Sequence, residues 1–118
     1  MSSYKEVCAA MEKYAGDRSM PAAFRGQVSQ WLSEYSETNH ARMLKVVETL
    51  KRMEGDRYHS LSAADRGEVF KIGCDIGSDG GIDAQQACFY VAANFIAPAD
   101  KRVACVKYLW NGAGDWEM

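Results

Sequence analysis

The sequence predicts an all-α fold, a compact single-domain bundle of five to six helices around a central apolar helix at about residues 84–97. Three observations carry this. Apolar residues recur at three-to-four spacing in successive segments, helix start and stop residues bracket those segments, and the period-two alternation of strands is absent. At 118 residues the chain matches one domain, residues 1–118, with apolar material for one core.

The first helix starts after Ser3, which stands three residues before Glu6 as in a capping box. Tyr4, Val7, Cys8, Met11 and Tyr14 then share one face, and Gly16 stops the helix. The second opens near Pro21, a residue favoured in a first turn, and carries Phe24, Val28, Trp31, Leu32 and Tyr35. Thr38 is the expected N-cap of the third, whose stripe is Met43, Leu44, Val47, Leu50 and Met53 before Gly55. Ser62 and Asp65 are spaced to cap the fourth, with Val69, Phe70, Gly73 and Ile76 on its apolar side. A loop is expected over residues 77–82, and Asp83 is expected to cap the fifth helix.

That fifth segment, residues 87–97, is apolar all round, which places it at the centre of the bundle. Its Asn94 reads as a satisfied core amide. Pro98 ends it or opens the sixth, which carries Val103, Val106, Leu109 and Trp110. The tail, residues 113–118, is expected to fray.

The run from Asp75 to Gln86 has metal-ligand spacing between two helical segments, and it resembles an EF-hand loop. That resemblance puts Asp75 at the first position, Asp79 at the fifth, the turn glycine at Gly80, a carbonyl ligand at Gly81, Asp83 at the ninth and Gln86 at the twelfth. It implies Ca²⁺ as the cofactor, held by Asp75, Asp79, Gly81, Asp83 and Gln86. The chain departs from the family at Gly77, which has no side chain, and at Gln86, where the family carries a bidentate Glu. The same residues also make an ordinary helix–helix turn without metal, in which glycines close one helix and Asp83 caps the next.

Other chemistry finds less support. The net charge of -2 offers no broad basic field for nucleic acid. No apolar run approaches the roughly 20 residues of a membrane span, and the N-terminal residues lack an apolar signal region, so a cytoplasmic location is expected. The four cysteines are too far apart in sequence for a CxxC pair and read as buried free thiols. His40 and His59 belong to no triad or zinc motif, and no phosphate-binding glycine loop occurs.

The expected function is therefore a non-catalytic protein-interaction module. The alternatives are a Ca²⁺-binding protein, an inhibitor or accessory protein of a phage or mobile element, and an enzyme whose site is assembled only by folding. The candidate partner-binding residues are Arg42, Lys45 and Arg52, on the basic side of the third helix, and Trp116, the aromatic placed furthest from the core. Another protein is the expected partner, with a second copy of this chain as the variant of that reading.

Overall fold

A computed structural model describes residues 3–116. Five α-helices span Tyr4–Ala15 (α1), Ala22–Glu34 (α2), Glu37–Leu50 (α3), Ala63–Val91 (α4) and Val106–Leu109 (α5). Short 3₁₀ turns at Tyr58–Ser60 and Lys101–Cys105 and a π-turn at Ala92–Ile96 fill the connections. The all-α bundle is as expected, and no strand occurs among the described residues.

The capping logic holds at most helix starts. Ser3 Oγ accepts from the Glu6 N–H at 3.2 Å while the Ser3 N–H donates to Glu6 Oε1 at 3.3 Å, a complete capping box. Ser62 Oγ accepts from the Asp65 N–H at 3.1 Å. On α3 the cap is Ser36 rather than Thr38, because Ser36 Oγ receives the Asn39 N–H at 3.0 Å and is extended where the helix begins.

The largest departure from expectation lies in α4. Residues 77–82 do not open into a loop: within Ala63–Val91 two helical stretches meet at a kink, and the non-helical residue is Gly81, at φ 70° and ψ −163°. That conformation is essentially restricted to glycine. It bends the helix into a first arm, residues 63–80, and a second arm, residues 82–91. Asp83 therefore lies in the first turn of the second arm rather than at the capping position before it.

The two arms meet on a buried glutamine. Gln85, fully buried, donates from Nε2 to the Gly73 carbonyl at 2.9 Å and to the Ala113 carbonyl at 2.8 Å. Gly73 and Gly77 have no side chains because there is no room for them: a Cβ would come within 2.6 Å of the Trp110 ring at Gly73 and 2.8 Å of Gln85 Nε2 at Gly77. The glycine-rich run thus serves close packing and a bend.

The second arm is central, as expected, with Ala84, Ala87, Cys88, Phe89 and Val91 buried, and α4 packs against α2, α3 and α5. Beyond it Pro98 cannot extend a helical ladder, and the helix widens into a π-turn closed by Ala97 N–H to Ala92 O at 2.9 Å. Asn94 is exposed there rather than buried, and its side chain donates to the Tyr90 carbonyl at 2.8 Å. The sixth segment divides into a 3₁₀ turn and the four-residue α5. The described part of the tail is docked rather than frayed: Ala113 and Trp116 are buried.

Candidate functional site

The basic side of α3 faces α4. Arg42 pairs with Asp79, Lys45 with Glu68, and Arg52, in the turn after α3, with Asp65, each at 2.7 Å. The order is antiparallel, and Asp65, Glu68 and Asp79 fall on one helical face. Lys45 holds the Glu68 carboxyl below its usual range, through a hydrogen bond and its charge. Arg42 also donates to Asn39 Oδ1 at 2.8 Å. The three cations expected to meet a partner are thus engaged within the chain.

Trp116 is engaged as well. It is 6% exposed, donates from Nε1 to the Lys107 carbonyl at 3.0 Å, and packs edge-on against Trp110 with ring centroids 5.2 Å apart. Its burial removes the exposed-anchor reading. The apolar rings of Phe89 and Trp110 draw the chain end inward, which position in the sequence alone does not reveal.

The five residues of the EF-hand resemblance are dispersed by the helix. Asp79 turns to Arg42. Asp75 lines a surface depression with Lys45, Glu68 and Lys71, while Asp83 and Gln86 face α2. An EF-hand loop wraps its ion so that oxygens from alternate positions converge. Here the backbone is helical on both sides of Gly81 and directs Asp79 to α3 and Asp83 and Gln86 to α2. Among the described residues, no group of three or more His, Cys, Asp or Glu side chains is gathered for a metal.

One of several surface depressions among the described residues lies between α2 and the second arm of α4. From α2 come Gln27, Gln30, Trp31 and Glu34; from α4 come Asp83, Gln86 and Tyr90. Positions 27, 30, 31 and 34 form one helical face, as do 83, 86 and 90, so two amphipathic faces enclose the groove. Its cavity is about 230 Å³. The Trp31 and Tyr90 rings stack at 5.1 Å and 14° between planes; Trp31 is 7% exposed and Tyr90 39%. Among the described residues, neither Glu34 nor Asp83 has a cationic partner within ion-pair distance. Glu34 also borders a second depression that reaches the start of α3.

Sequence reading missed this groove because its signal is split between two helices. Asp83 and Gln86 were drawn into the metal pattern, and Tyr90 into the central helix. Three reactive side chains outside the groove, Cys88, Cys105 and Tyr35, are buried. Burial pushes the Cys88 thiol up to about 12, and the Cys105 thiol is raised by burial and by Asp56. Burial likewise raises the Tyr35 hydroxyl, which lies 2.7 Å from His40 Nδ1 in the core. No helix among the described residues is long and apolar enough to cross a membrane.

No protein-family model matches the chain, and comparison with curated proteins and with solved structures found no significant match.

Proposed function

We propose that the protein is a non-catalytic interaction module that binds a partner protein through the groove between α2 and the second arm of α4. One observation carries the reading: Glu34 and Asp83 lie outside ion-pair distance of any cation among the described residues, beside an exposed tyrosine, while Asp65, Glu68 and Asp79 on the other side of α4 are paired with Arg52, Lys45 and Arg42. Aromatic side chains set in a polar rim are the usual anchors of protein interfaces.

The test uses the intact chain as bait in its wild-type form, as Glu34→Gln/Asp83→Asn, and as Lys45→Gln on the opposite side. A partner recovered with wild type is then purified and titrated against all three. The double variant should bind at least about tenfold more weakly, as expected for central contacts, while Lys45→Gln should bind within about twofold of wild type. Equal binding by the double variant and wild type would remove the groove from the interface.

A further inference from the structure

We infer that the groove between α2 and the second arm of α4 receives an arginine side chain of the partner protein, an inference that rests on the interaction reading above. Size is the first argument. Small-molecule pockets begin at about 300 Å³, whereas this cavity is about 230 Å³, a volume suited to one side chain. Chemistry is the second. Glu34 and Asp83 bring a carboxylate to each wall, and Gln27, Gln30 and Gln86 line the groove with amides that can accept as well as donate. A guanidinium is their complement, since it offers five N–H donors, accepts nothing and keeps its charge.

The third argument is the Tyr90 ring. It is fixed by stacking on Trp31 and remains partly open to solvent. A planar guanidinium stacks on such a surface, whereas an ammonium is a compact, strongly hydrated point charge. A cation already meets an aromatic ring nearby, with Lys107 Nζ 5.6 Å from the Phe89 ring centroid.

The experiment is a ¹⁵N-resolved titration of the intact protein with acetyl-arginine amide, acetyl-lysine amide, acetyl-citrulline amide and free arginine. Acetyl-arginine amide should perturb Gln27, Gln30, Glu34, Asp83, Gln86 and Tyr90 together, with a dissociation constant on the order of millimolar for a single exposed cation. Lysine amide should bind about threefold or more weakly, and uncharged citrulline should leave the groove unperturbed. Glu34→Gln/Asp83→Asn should abolish the arginine response. Tyr90→Leu, which keeps an apolar cover over Trp31 but no aromatic face, should reduce the preference for arginine over lysine.

Equal arginine and lysine binding would overturn the guanidinium assignment. Free arginine binding tenfold or more tightly than its blocked form would overturn assignment to a partner's side chain. A groove silent to all four probes, with the partner still lost in the double variant, would overturn this inference and leave the interaction module standing. Retention of the partner by that variant would remove both.

Discussion

On its α3 side, α4 sets Asp65, Glu68 and Asp79 against Arg52, Lys45 and Arg42; on its α2 side, Asp83 shares a groove with Glu34 and three glutamines. The first surface closes its charges within the chain. The second sets two carboxylates in one cavity, neither within ion-pair distance of a cation among the described residues. Such pairing costs little at a solvated surface, where water and salt screen the repulsion. Both sides belong to one helix, so helix propensity cannot account for the difference. The bend at Gly81 separates them, because beyond it Asp83, Gln86 and Tyr90 face α2, whose groove-lining residues carry no cation.

Breaking what the two sides share should have the largest effect. Trp110 is fully buried, donates to the Val69 carbonyl at 2.9 Å and covers Gly73. Trp110→Ala should cost about 3–5 kcal/mol by leaving a large cavity, with the α3 pairs and the α2 groove lost together. Urea unfolding followed by circular dichroism measures this, and a loss below about 1 kcal/mol would show that the two sides have separate supports.

The bend itself should separate them. Alanine at position 81 must adopt a conformation that costs on the order of 1–3 kcal/mol, or the second arm must swing to relieve it. Gly81→Ala should therefore lower the unfolding midpoint and alter Trp31 fluorescence, since the Trp31–Tyr90 stack joins α2 to that arm. The Arg52–Asp65 pair lies far along the first arm and should keep its coupling in a double-mutant cycle, about 0.2–1 kcal/mol as is usual for exposed pairs. Unchanged fluorescence alongside a lost coupling would reverse the assignment of the bend to the groove.

Acid should weaken the closed side of α4. Glu68 is held low by Lys45, and Asp100 by Arg102. A carboxyl with a lowered folded value stabilises the protein above its ordinary titration near 4, and that contribution is lost as pH falls through the folded value. Stability should thus be level from neutrality to about pH 5 and decline below about pH 4, and Lys45→Gln should make the acid limb shallower. A limb of unchanged slope in Lys45→Gln would mean that the pair adds nothing to folding.

Much of the fold was legible in the sequence because apolar spacing and caps are local signals. Ser3, Pro21 and Ser62 mark their helices, and the apolar run 87–97 marks the middle of the bundle. What escaped was decided by contacts distant in sequence. The glycines near position 77 look like a loop until Trp110 and Gln85 are seen to occupy the space that side chains would need. Trp116 looks exposed until Phe89 and Trp110 are found beneath it. The basic residues of α3 look available because their acidic partners are 13 to 37 residues further along the chain.

The smallest expected effect is that of calcium, and it sharpens the contrast most. A loop that wrapped an ion would draw Asp75, Asp79 and Asp83 together and would have to unwind the helix around Gly81 to do so. It would also have to take Asp79 from Arg42 and Asp83 from the α2 groove. Calorimetric titration of chelator-stripped protein with Ca²⁺ should therefore show no saturable heat at concentrations up to about 1 mM, a range in which weak extracellular modules already bind. The melting temperature should be unchanged at the same concentrations, since a ligand that does not prefer the native state adds no stability. Saturable binding lost in Asp75→Ala would show that residues 75–86 leave the helix. The two sides of α4 would then be alternatives set by the metal, since the same carboxylates cannot serve both the ion and the surfaces they now occupy.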